Sequence, residues 1–263
     1  VGGSTIGTNG INGMSMTGEV RVKEGEGSPS IPYAPEFAAK KSWFMFGGQI
    51  VCLGAGITNS GESYPVESII ENRRLRPEED NVLTVNGEAE DLPVQEADLE
   101  DIVAGSIDVS GTRIPEVSWA HLEGNVEGSD IGYYFPEETE VTVLKETRTG
   151  NWRDINTAVA AGSANDKEII RSYISFAVDH GTDPQNDTYS YVLLPGRTPD
   201  DMAEFSENPE VIILANTPEV QAVKNTKYGV SGYNFWTACD PEDLPVSAKT
   251  PASVTLAEEN GLI

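Results

Sequence analysis

KKSWFMFGGQIVCLGAGI, residues 40–57, decides how the rest of the chain is read. Two apolar, aromatic-rich runs flank Gly47-Gly48. A Gly-Gly pair in that setting signals a two-residue β-hairpin, because glycine takes the positive φ that primed turns require. One arm carries Trp43, Phe44, Met45 and Phe46, and the other carries Ile50, Val51, Cys52 and Leu53. Neither arm alternates cleanly between apolar and polar residues. Strands of that kind are covered on both faces, which places the hairpin inside a large sandwich.

Upstream of the hairpin, the Gly/Asn/Ser/Thr-rich residues 1–13 read as loop, 14–22 as a strand and the proline-punctuated 24–35 as a connector. Downstream, strands are expected over 64–74 and 82–85, the second closing on a tight Asn86-Gly87 turn. Further strands are expected over 118–122, 131–135, 140–147, 168–178, 188–194, 211–215, 220–223, 232–236 and 253–256. Residues 148–156 read as a polar loop with one tryptophan. The single expected helix covers 199–206, with Thr198 as N-cap, Pro199 at its first position and Asp200 and Asp201 in its first turn. No short internal repeat is visible, which disfavours a propeller or solenoid. The pattern is that of an all-β protein.

The chain has 263 residues, enough for one large β domain, and sets 43 acidic residues against 17 basic ones for a formal charge of -26. That balance argues against binding nucleic acid or an anionic membrane through bulk electrostatics. It fits either a highly soluble surface or adaptation to strong salt, where screening removes self-repulsion. Residues 77–112 contain no Lys or Arg and many acids, and 88–101 read as an exposed, inserted loop. No apolar run is long enough to span a bilayer. Cys52 and Cys239 permit at most one disulfide, and spacing does not say whether they meet. The chain lacks an initiator Met and ends in the strand-like ASVTLAEENGLI, so a piece of a longer polypeptide is expected.

Several separated blocks occur together: KKSWFMFGGQIVCLGAGI, ESIIENRRL (67–75), GYYFP (132–136), ETRTGNWRDIN (146–156), ISFAVDHGTDPQNDTYSYVLLPG (174–196) and VIILANTPEVQAV (211–223) followed by NFW (234–236). From about Gly13 onward the chain resembles the central β domain of polysaccharide lyase family 8, the hyaluronate, chondroitin AC and xanthan lyases. The resemblance implies a large antiparallel supersandwich of galactose-mutarotase-like type over 1–250, with the start of a C-terminal β domain over 251–263. It also implies a secreted enzyme in which an N-terminal α/α toroid of the same polypeptide bears the catalytic Asn, His, Tyr and Arg. None of those residues is carried over here, so this chain alone is expected to be inactive. The implied chemistry is β-elimination on an acidic polysaccharide, which needs a donor to stabilise the enolate and a matched acid/base. No cofactor is required. An independent carbohydrate-binding module is the alternative.

The best candidates for touching substrate are Arg148, Asn151, Trp152 and Arg153, because guanidinium and amide groups pair a sugar carboxylate while an aromatic ring stacks on a pyranose. The competing structural reading has Arg153 paired with a nearby acid and Trp152 packed on the sandwich. Glu78, Glu79 and Asp80 are compact hard oxygen donors that would suit Ca²⁺, although a carboxylate run in so acidic a chain is more often a solvated face. His180, at a Gly/Asp/Pro turn after an apolar strand, and His121, beside Trp119, are the only histidines. Both read as structural rather than as general bases. Glu71-Asn72-Arg73 reads as a strand-end hydrogen-bond cluster.

Overall fold

The computed structural model describes residues 2–18, 37–60, 65–98, 111–156 and 167–258. Among these, the chain runs through β1 (Gly2–Ile6), β2 (Asn9–Thr17), β3 (Ala38–Phe46), β4 (Gln49–Thr58), β5 (Glu67–Arg74), β6 (Leu83–Val85), β7 (Glu88–Ala89), β8 (Val94–Asp98), β9 (Thr112–Leu122) and β10 (Ile131–Gly150). A single helical turn, α1 (Trp152–Ile155), follows, then β11 (Ile169–Asp179), β12 (Asp187–Pro195) and α2 (Pro199–Glu207). The last strands are β13 (Val211–Asn216), β14 (Val220–Asn225), β15 (Val230–Phe235) and β16 (Ala252–Ala257). Twelve strands form one sheet in the order β1-β2-β3-β4-β12-β10-β9-β6-β7, with β11 joining β10 to β5 and β8 lying against β10. The other four form a second sheet, β13-β14-β15-β16. Among the described strands only the β8–β10 pairing is parallel.

The hairpin is where the sequence placed it. β3 pairs with β4 so that Trp43 faces Cys52 and Phe44 faces Val51. Of the two turn glycines only Gly47 uses positive φ, at 57°, and a Cβ there would also run into the Tyr228 side chain. β4 is covered on both sides. Cys52 and Ile57 enter one core with Tyr133, Phe176, Tyr189 and Tyr191. Val51 and Leu53 enter a second core with Phe44, Phe46, Val192, Met202, Val211 and Val223, between the large sheet, the small sheet and α2. Each such side chain contributes roughly 1.5–3 kcal/mol when fully buried.

A polar seam threads the contact between the sheets. The Ser42 hydroxyl donates to Gln221 Oε1 at 2.6 Å, Asn234 Nδ2 donates to Ser42 Oγ at 2.9 Å, and Asn225 Nδ2 donates to Gln49 Oε1 at 3.1 Å. Buried polar groups that satisfy one another in this way fix one docking register for the sheets. The expected boundary at 250 falls between β15 and β16, which pair from Val230↔Ala257 to Phe235↔Ala252.

Four local expectations are corrected. Residues 2–6 and 9–13 are strand, not loop. Gly13 is there for closeness rather than for a turn, since a Cβ would lie 2.7 Å from Trp236 Cη2. The expected loop at 88–101 contains β7 and β8, the latter paired with β10. The strands expected at 131–135 and 140–147 are one 20-residue strand, because Pro136 to Glu138 sit in a β-bulge against β9 instead of a turn. Arg148 to Gly150 end that strand, and α1 is a second helical segment beside the single one expected. The connector at 24–35 and residues 99–101 lie outside the described residues. α2 starts at the expected residue with a complete capping box between Thr198 and Asp201.

Candidate functional site

Where β10 ends and β11 begins, the chain forms an open cavity of about 310 Å³. Arg148, Thr149, Gly150, Asn151 and Trp152 line one side, and Ile169, Arg171 and Tyr173 line the other. Arg148 is fixed from two directions. Its Nε donates to Glu146 Oε1 at 2.8 Å and its Nη2 to the same oxygen, while its guanidinium lies 4.4 Å over the Tyr173 ring. Glu146 is only 3% exposed, so a carboxylate held under the surface is neutralised by this one guanidinium.

The register then places Arg171 directly opposite Arg148. Like charges in that relation are destabilising, and Arg171 has no carboxylate partner among the described residues. Asn151 caps α1, its Oδ1 accepting the Arg153 backbone N–H at 2.9 Å; Asn156 N–H donates to Trp152 O at 3.0 Å and closes the turn. That turn presents Trp152 with 54% of its surface open, which corrects the reading that packs it on the sandwich. The site therefore offers two guanidiniums, an amide and an exposed indole to one cavity, a set suited to a carboxylate-bearing sugar.

Of the four residues singled out from sequence, Arg148, Asn151 and Trp152 line the cavity, and Arg153 is exposed on α1 outside its wall. Ile169, Arg171 and Tyr173 escaped notice because their neighbourhood with Arg148 is created by cross-strand register rather than by spacing. The only signal available was an arginine and a tyrosine at alternate positions in IIRSYISF.

The acidic run does not form a metal cradle. Asp80 accepts from Arg76 Nε at 2.6 Å. Glu79, at φ 58°, accepts from Thr147 Oγ1 at 2.8 Å and from Ser172 Oγ, and these donors hold its carboxyl below the usual range. Glu78 is exposed. No group of three metal-ligating side chains converges among the described residues, so Glu78, Glu79 and Asp80 do not fit a calcium site.

The histidines are structural. His180 Nδ1 lies 2.7 Å from Asp187 Oδ2 and its Nε2 lies 3.0 Å from Ser68 Oγ. This Ser–His–Asp connectivity matches a hydrolase relay, yet Ser68 is buried. The nearby Gly181 and Thr188 N–H groups are bonded to Asp179 and Asp187, leaving neither to stabilise an oxyanion. The three residues instead bolt the β11–β12 turn to β5. His121 is buried with Asp130 Oδ2 at 3.3 Å from Nε2, outside hydrogen-bonding geometry, so neither ring nitrogen is bonded. Glu71 accepts from Tyr133 Oη at 2.6 Å and Arg73 Nη1 donates to Ser129 O at 2.9 Å, the strand-end cluster read from sequence. Cys52 and Cys239 are free thiols.

The fold is thus an antiparallel supersandwich with a cationic, indole-bearing cavity at one strand end. Residues 1–206 match the family described as polysaccharide lyase family 8, super-sandwich domain, and residues 212–262 match its C-terminal beta-sandwich domain. The chain belongs to polysaccharide lyase family 8. It is 38% identical over 224 residues to a xanthan lyase of Bacillus sp. (strain GL1), covering 84% of this chain and 22% of that protein. It is 33% identical over 238 residues to a hyaluronate lyase of Enterococcus faecalis, covering 90% and 21%. The solved structure of a Paenibacillus xanthan lyase superposes with a TM-score of 0.78 at 34% identity, covering 97% of this chain and 22% of that one. The chain thus spans about a fifth of the length of these relatives.

Proposed function

We propose that this chain is the β-sandwich part of a secreted lyase that cleaves an acidic polysaccharide by β-elimination. In this reading the proton transfer belongs to an α/α toroid of the same polypeptide, and the sandwich closes one side of its cleft. The observation that carries the reading is the Arg148–Arg171 pair beside the exposed Trp152. Arg148 is already paired with Glu146, but Arg171 facing it has no carboxylate among the described residues, so an anionic ligand relieves the pair, and a sugar acid meets both guanidiniums and the indole. Secretion follows from the substrate, since a polymer of this kind is met outside the cell.

The test is to incubate the 263-residue chain with hyaluronan, chondroitin and xanthan and follow the absorbance of the unsaturated product. No turnover is expected; steady turnover would place the proton-transfer groups on this chain and overturn the division of labour. The exposed Trp152 also favours a second reading, in which the chain binds acidic glycan on its own. Titration with hyaluronan at low salt separates the two, because an independent module binds tightly by itself whereas one wall of a shared cleft binds only weakly.

A further inference from the structure

We infer that the cavity at Arg148 is one end of a longer cationic track that crosses three strands and ends at Arg74, making Arg171 and Arg74 a second anion subsite. The inference rests on the acidic-polysaccharide reading and adds residues that determine how long a ligand is recognised.

The argument begins with register. Antiparallel partners place their side chains on the same face of the sheet. Tyr173 of β11 is paired with Arg74 of β5 and with Glu146 of β10, and Arg148 is paired with Arg171. Residues two apart on a strand also share a face, so Arg74, Arg171, Arg148 and Tyr173 all stand on one surface. Arg74 lies diagonally from Arg171, a relation that sets Cβ atoms about 7–8 Å apart.

Charge is sorted by that alternation. The opposite face of the same strands carries Thr147 and Ser172, which bind Glu79, and the Glu71–Arg73 pair. On the track face Glu146 is spent on Arg148. Arg73, Arg76, Arg113 and Arg148 each have a carboxylate within ion-pair distance. Arg74 and Arg171 have none among the described residues, although acids outnumber bases 43 to 17 in the chain. Arg171 Nη1 instead donates to the carbonyl of its own neighbour Ile170 at 2.6 Å. Both side chains are exposed. Gathering unpaired guanidiniums on one face of a strongly acidic protein has an electrostatic cost that an anionic ligand removes.

Strand spacing and rise put about 12 Å between the backbone positions of Arg148 and Arg74. That span exceeds what one carboxylate bridges and accommodates anionic groups on separate sugar residues. Tyr173, stacked under Arg148 and paired with Arg74, stands between those two guanidiniums, while Arg171 faces Arg148 directly and is shared by both subsites.

The experiment compares a hyaluronan disaccharide, with its single carboxylate, and a hexasaccharide that repeats it, by calorimetric titration of the whole chain at low salt. Arg148→Gln, made together with Glu146→Gln so that no buried carboxylate is left unpaired, is expected to weaken both ligands about tenfold, the scale of one charge-assisted contact. Arg74→Gln is expected to weaken the hexasaccharide by about the same factor and to leave the disaccharide within about twofold. Retained disaccharide binding also shows that the Arg74→Gln chain is folded. Loss confined to Arg148→Gln overturns the track and leaves the cavity reading in place. Loss in neither variant, or no binding by the unaltered chain, overturns both.

Discussion

Cys52 sits between the stacked rings of Tyr189 and Tyr191 and half-buried Lys41; burial pushes its thiol up to about 12. A thiol in that state is neither a nucleophile nor a metal ligand at neutral pH. Cys239 lies in a bridge with Ala248, partly open to solvent. Titration of the native protein with a chromogenic disulfide is therefore expected to label one thiol per chain, and both after unfolding in guanidinium. Rapid labelling of both in the native state counts against the burial of Cys52. Residue chemistry was legible here: a cysteine among Val, Ile and Leu is a small hydrophobe. The same kind of reading found Arg148, Asn151 and Trp152 because they are neighbours in sequence. It lost Arg171 and Tyr173, since strand register is a property of two segments at once.

At the scale of elements, α2 shows what short-range chemistry specifies. Thr198 accepts from the Asp201 backbone N–H at 3.2 Å, and the Asp201 carboxylate accepts from the Thr198 N–H at 2.9 Å. The Thr198 N–H, and the Thr198 hydroxyl that donates to the same oxygen at 2.9 Å, hold the Asp201 carboxyl below its usual range. A depressed carboxylate stabilises the fold above its unfolded pKa, and the contribution is lost as pH falls through the folded value. Thr198→Ala is expected to lower the unfolding free energy by about 1 kcal/mol at neutral pH. The gap between variant and parent in urea titrations should narrow in acid; a gap that widens there contradicts the assigned sign. Caps and turns were readable because they are written in three or four adjacent residues. β1, the start of β2 and β8 were not, since Gly3 answers to the Ile11 carbonyl and Gly13 to the distant Trp236 ring, and β8 is defined by its partner β10.

For the whole molecule the dominant long-range term is the charge of -26. Raising salt from about 0.1 M to about 1 M shortens the Debye length from about 10 Å to about 3 Å, so the thermal midpoint is expected to climb over that range in sodium chloride. A flat profile would mean that local ion pairs such as Arg76 with Asp80 and Glu123 already offset the repulsion. The global architecture was legible through apolar runs, whose burial on both faces of β4 is the direct physical cause of a two-layer core. The single 20-residue strand β10 was hidden by its own bulge. That strand binds β12 along Ile131–Tyr134 and β11 along Thr142–Gly150, and thus works as a girder shared by the two ends of the large sheet. Neither end can come apart without stripping a flank from the other, so the cavity at the girder's tip inherits the rigidity of the core at its root.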